Sequence, residues 1–121
     1  MYINITSHRL RLHYVRRVGG YMDISSLREG NSLKVVLNGE LCAESVPQTE
    51  AFLNKSLGGI NALTVDCDGV KRITKEGLML LLATKKKLGN LKMALTNVSE
   101  AVYNSLEEQG ITTLIDVGRS V

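Results

Sequence analysis

The chain has 121 residues, enough for one domain with a core of its own and too few for a second. With 44% hydrophobic and 22% charged residues it has globular composition, but no Trp and a single Phe, so the core must be aliphatic. The formal charge of +3 suggests a polyanion partner, yet residues 22–121 hold 11 Lys+Arg against 12 Asp+Glu, or −1, leaving no basic stripe for direct nucleic-acid binding.

The excess charge sits in residues 1–21, which carry Arg9, Arg11, Arg16, Arg17 and both histidines, His8 and His13, with no acid. Leu10, Leu12 and Tyr14 alternate with Arg11 and His13, a pattern that permits a strand, and Gly19-Gly20 sets the segment apart. It reads as a basic arm or an extra edge strand, as an arm that reaches a partner or exchanges between two copies in a homodimer, or as a non-native start if Met22 begins the protein. The domain proper is placed at residues 22–121.

Within it, Tyr21–Leu27 predicts a strand, Arg28–Ser32 a hairpin turn around Glu29-Gly30-Asn31, and Leu33–Leu37 a second strand ended by Gly39-Glu40. Ala43–Ser56 predicts a helix with Pro47 in its first turn, Gly58-Gly59 as its stop, and a thin apolar face of Val46, Ala51, Phe52, Leu53 and Leu57. Ile60–Cys67 predicts a strand with Leu63, Val65 and Cys67 on one side and Ile60, Ala62 and Thr64 on the other. Both sides are apolar or small, which implies a central strand with helices on both faces or at its ends. Asp66-Cys67-Asp68-Gly69 predicts a turn, and Val70–Ile73 leads into a helix over Lys75–Leu88, with Thr74 as N-cap and Gly89-Asn90 as its end. Leu91–Thr96 predicts a strand, Asn97 or Ser99 caps a helix of about ten residues that Gly110 ends, and Ile111–Ile115 a last short strand or helical turn. The order β-β-α-β-α-β-α implies a mixed, mainly parallel α/β sheet of four to five strands with about three to four helices.

Several segments resemble, in order and spacing, the STAS domains of bacterial anti-sigma-factor antagonists. Leu37-Asn38-Gly39-Glu40-Leu41-Cys42 resembles the segment after the family's second strand, and Leu63–Val70 its next strand and turn. Ile73-Thr74-Lys75-Glu76-Gly77-Leu78 resembles its i-D-S-S-G-L helix start, Leu95-Thr96-Asn97-Val98-Ser99 its l-x-n-v-s segment, and Leu106–Ile115 with Gly110 its ending. The resemblance covers residues 22–117. It implies a non-catalytic, cytoplasmic module of transcription regulation that docks an anti-sigma factor, a kinase-like ATPase, or another regulatory protein. The docking rim carried over comprises Glu40, Cys42, Glu44, Thr74, Lys75, Glu76 and Met79. The alternatives are a STAS subunit of a larger assembly, such as a stress complex or lipid transporter, or a nucleotide- or small-ligand-binding domain.

The resemblance fails at its switch. Lys75 stands at the family's phosphorylatable serine and Cys42 at its Asp, so the phosphorylation cycle is expected to be lost, with Thr74 as a weak alternative acceptor. Lys75 is then a solvated residue or the partner of an acid on another protein. Gly77, inside the first helical turn, costs about 1 kcal/mol of helix propensity and implies close backbone packing. Leu78, Leu81, Leu82 and Leu88 form the sheet-facing arc, leaving Met79 and Leu80 to pack against a neighbour or to face a partner. Asp66 and Asp68 read as turn-formers, no nucleophile–His–acid set or phosphate loop lies in the domain, and no cofactor or metal is expected. Cys42 and Cys67 read as reduced thiols. No stretch reaches the ~20 apolar residues of a membrane span, and the N-terminus carries no secretory signal pattern.

Overall fold

The computed structural model describes residues 11–18 and 22–120. In chain order these form β1 (Arg11–Val18), β2 (Met22–Glu29), β3 (Ser32–Leu41), α1 (Val46–Ser56), β4 (Ala62–Ile73), α2 (Lys75–Leu88), β5 (Lys92–Val98), α3 (Glu100–Glu108), a 3-10 turn (Ile111–Thr113) and β6 (Asp116–Arg119). The strands make one six-stranded sheet in sequence order. β1, β2 and β3 are antiparallel neighbours, whereas β3 through β6 run parallel. The mixed, mainly parallel α/β architecture is the one expected. β2–β5 are the four strands of the expected order, β1 comes from the segment before residue 22, and β6 from the tail beyond Ile115.

Gly30 turns the β2–β3 hairpin with φ +58°, a backbone that glycine adopts without penalty, so that Glu29 pairs with Ser32. Along β3 to β5 the cross-strand rows Leu33–Leu63–Met93 and Val35–Val65–Leu95 are fully buried. The alternate rows Lys34–Thr64–Ala94 and Val36–Asp66–Thr96 are half-buried or exposed. Each parallel crossover, through α1, α2 and α3, steps one strand further in the same direction, and right-handed crossovers then place all three helices on a single face. The expected helices on both faces of the central strand are therefore corrected. Among the described residues no helix covers the sheet face of Ala62 and Thr64, which are both half-buried.

Two local expectations also change. Asp66–Gly69 is not a turn between elements but a bulge inside the twelve-residue β4: Val36 pairs with Asp66 and Asn38 with Gly69, so Cys67 and Asp68 both face Leu37. Asp66 Oδ1 accepts from the Asp68 N–H at 3.0 Å and from Asn97 Nδ2 at 3.2 Å, and Oδ2 lies 3.7 Å from Lys34 Nζ. That carboxylate is spent on holding the bulge. The first helix begins at Val46 rather than Ala43, and it buries Thr49, Phe52 and Leu53 while Ala51 is exposed. The other two helices match their expected spans closely. α2 runs Lys75–Leu88, and Ser99 Oγ caps α3 by accepting from the Val102 N–H at 3.3 Å.

Candidate partner-docking site

The carboxyl ends of β3 and β4 meet the start of α2, and a short turn after β3 completes the corner. Ser45 organises that turn. It is fully buried; its Oγ donates to the Glu40 carbonyl at 2.8 Å and accepts from the Cys42 N–H at 3.1 Å. The Cys42 carbonyl in turn accepts from the N–H groups of Ser45 and Val46, both at 3.0 Å. These bonds consume the first residues expected to be helical and draw Cys42 inside. Cys42 is 1% exposed, so its place on the expected docking rim is corrected: it packs as a small hydrophobe beneath the rim.

The Leu41 carbonyl is the hinge pin of the corner. It accepts from the Thr74 N–H at 3.0 Å, and the Thr74 hydroxyl also points to it at 3.5 Å. A Cβ added at Gly77 would stand 2.6 Å from this same oxygen and 2.9 Å from Ile73 Cγ1. The first turn of α2 therefore rests directly on the end of β3, which is the close backbone packing that the glycine implied.

Thr74 occupies the N-cap position with extended backbone, but its oxygen accepts from no helical N–H, contrary to the expected cap. Its single hydroxyl proton is instead shared between two acceptors, the Leu41 carbonyl and the Glu76 carboxylate. The Glu76 carboxyl is held below its ordinary range by its own backbone N–H, then by the Thr74 side chain, then by the Lys75 charge. An acid in the first helical turn suits the dipole, whereas Lys75 beside it does not.

Glu44, Lys75, Glu76 and Met79 are exposed around this corner, Glu40 and Thr74 are half-buried, and Cys42 alone of the expected set is covered. Sequence reasoning missed Arg72, whose Nε lies 3.2 Å from Glu40 Oε1. The signal lay in the register, because Glu40 and Arg72 are direct partners across β3 and β4. Met79 and Leu80 part company: Met79 is 59% exposed, while Leu80 joins the core. Both cysteines are free and buried. Burial, with a smaller push from the Asp66 charge, raises the Cys67 thiol to about 12, so it is neither nucleophile nor ligand at neutral pH. Among the described residues no group of His, Cys, Asp and Glu is arranged to hold a metal ion. No described helix is long and apolar enough to cross a membrane.

The STAS domain profile matches residues 23–121. The chain belongs to the STAS domain family. Among solved structures, the STAS fold here is similar to an anti-sigma factor antagonist from Mycobacterium paratuberculosis, with a TM-score of 0.76 and 18% identity over 85% of this chain and 90% of that one. It is similar also to the anti-sigma factor antagonist SpoIIAA in its unphosphorylated form, with a TM-score of 0.65 and 17% identity over 86% of this chain and 85% of that one. The phosphorylated form of SpoIIAA, a Bacillus cell fate determinant, gives 0.60 and 16% over 86% and 88%. No curated protein matches the chain by sequence. Membership of the STAS family supports a general protein-interaction and regulatory role, in a family that is generally non-catalytic.

Proposed function

We propose that this STAS domain is a non-catalytic docking module of the anti-sigma-factor-antagonist type, which binds an anti-sigma factor or similar kinase-like regulator without serine phosphorylation. The observation that carries the reading is the seating of α2 on the Leu41 carbonyl through Gly77, which holds Lys75, Glu76 and Met79 outward beside Glu40 and Glu44. A rigid, exposed helix start of this kind offers alternating charge and one apolar side chain to a partner. Lys75 cannot accept phosphate, and it presents a positive charge where phosphoserine would be negative. Residues 22–121 form the docking unit, and residues 1–21 are an accessory to it.

The test is calorimetric titration of the protein with the anti-sigma factors of its own organism. Binding is expected in the presence and absence of ATP, with no mass gain of phosphate on the STAS domain. Glu44→Lys combined with Lys75→Glu should weaken binding at least about tenfold, as removal of central interface contacts does. Phosphate mapped to Thr74 would overturn the loss of the switch, and full binding by the double variant would overturn the corner as the docking site.

A further inference from the structure

A second surface opens along α2 beyond the corner. Met79, Leu82, Ala83, Lys85 and Lys86 of α2 and Leu114 after the 3-10 turn line an open groove of about 510 Å³. Met79 and Leu114 are 59% and 58% exposed; among the described residues Leu91, at 37%, is the other exposed large apolar side chain. The recurrence at 79, 82, 83 and 86 places these residues on one stripe of the helix. Among the described residues no acid lines the groove, but two lysines do. Among the described residues, Asp66 pairs with Lys34 and Glu40 with Arg72, and no carboxylate is seen paired with Lys85 or Lys86. Lys85 is fixed at the rim, because its Nζ donates to the Leu91 carbonyl at 3.1 Å with two further N–H bonds to give.

We propose that this groove receives an acidic amphipathic segment of a partner protein. Its apolar side chains lie among Met79, Leu82, Ala83 and Leu114, and its carboxylates meet Lys85 and Lys86. This rests on the docking reading above and adds the partner's chemistry, since Met79 belongs to both surfaces. From residue 79 to residue 86 the helix rises about 10 Å, room for two successive anchors of a docked helix. A second copy docked groove to groove is a poor occupant, because that arrangement would face lysines with lysines. An anionic bilayer would meet the lysines but leave the half-buried Leu82 and Ala83 of the groove uncovered.

The isotope-labelled full chain is titrated, by NMR, with two short helical peptides and with phosphatidylglycerol vesicles. Both peptides carry Leu at i, i+3, i+4 and i+7; one has Glu at the flanking positions and the other Lys. The Glu peptide is expected to shift the methyl resonances of Met79, Leu82 and Leu114 saturably, and the Lys peptide to leave them in place. Met79→Asp and Leu114→Asp, both exposed sites, should each weaken the Glu peptide at least about tenfold, and Lys86→Glu should favour the Lys peptide. Equal shifts with both peptides, shifts confined elsewhere, no shift with either, or a response to vesicles alone would each overturn the proposal. Glu44→Lys should leave peptide binding intact, so failure at the groove is read separately from failure of the corner to bind an anti-sigma factor.

Discussion

At Gly77 a methyl group would collide with the Leu41 carbonyl oxygen at 2.6 Å and with the side chains of Ile73 and Leu41 at 2.9 Å. Helix propensity alone favours Gly77→Ala by about 1 kcal/mol, but forcing a Cβ into a closed backbone contact costs about 1–3 kcal/mol. The carbonyl cannot rotate away, because it holds the Thr74 N–H, so the steric term should win. Gly77→Ala is expected to lower the midpoint of urea unfolding. A midpoint at or above that of the wild type would show that the corner yields. Cys67 gives a pH prediction of definite sign. Its thiol sits at about 12 when folded, against an ordinary 9.0, so the unfolded chain releases this proton first as pH rises. The stabilisation is complete below pH 9 and is lost progressively toward pH 12, by up to about 1.4 kcal/mol per pH unit. Urea midpoints measured between pH 8 and pH 10.5 should fall less steeply for Cys67→Ala than for the wild type, and parallel slopes would refute the assignment.

At the scale of elements, the turn between β3 and α1 depends on one hydroxyl. Ser45→Ala removes the bond to the Glu40 carbonyl and the acceptor of the Cys42 N–H together, inside a buried site. Leaving such groups unpaired costs about 1–3 kcal/mol, which equilibrium unfolding would register, and an unchanged midpoint would mean the turn re-forms around another acceptor. This is also where the sequence was least legible. Ser45 and its neighbours read as helix because nothing local distinguishes a serine that caps from one that bridges a turn to the preceding strand. The D-C-D-G run at 66–69 carries the composition of a turn, yet bulges use the same residues for the same backbone reasons. α2, by contrast, was legible over its whole length: Thr74 precedes it, Gly89 with φ +60° ends it, and a leucine stripe lies between. Even there the side-chain chemistry of Thr74 was hidden, since its partners lie on β3 and on Glu76.

On the scale of the whole molecule, the order from β2 to α3 and the parallel core followed from the punctuation, but the outer strands β1 and β6 and the one-sidedness of the sheet did not. Small residues at 62 and 64 are compatible with either a helical cover or open solvent, and only the common direction of the three crossovers decides between them. The proposed docking corner was legible as a place, because Gly77 is costly without a close contact, while Arg72 needed the register and the burial of Cys42 needed the Ser45 turn. The same sheet order makes the outermost strand consequential. β1 pairs with β2 along its length, from Arg11–Arg28 to Val18–Met22. A variant starting at Met22 would leave the β2 edge bare and, with the four arginines gone, carry a net −1. An unpaired edge strand on a nearly neutral domain is a template for pairing with another copy. The shortened protein is therefore expected to show a concentration-dependent rise in mass by light scattering, partly reversed by Ser25→Lys on the open face of that strand, where charge opposes edge-to-edge pairing. A shortened protein that stays monomeric at the highest soluble concentration would show that β2 does not need β1 to shield it.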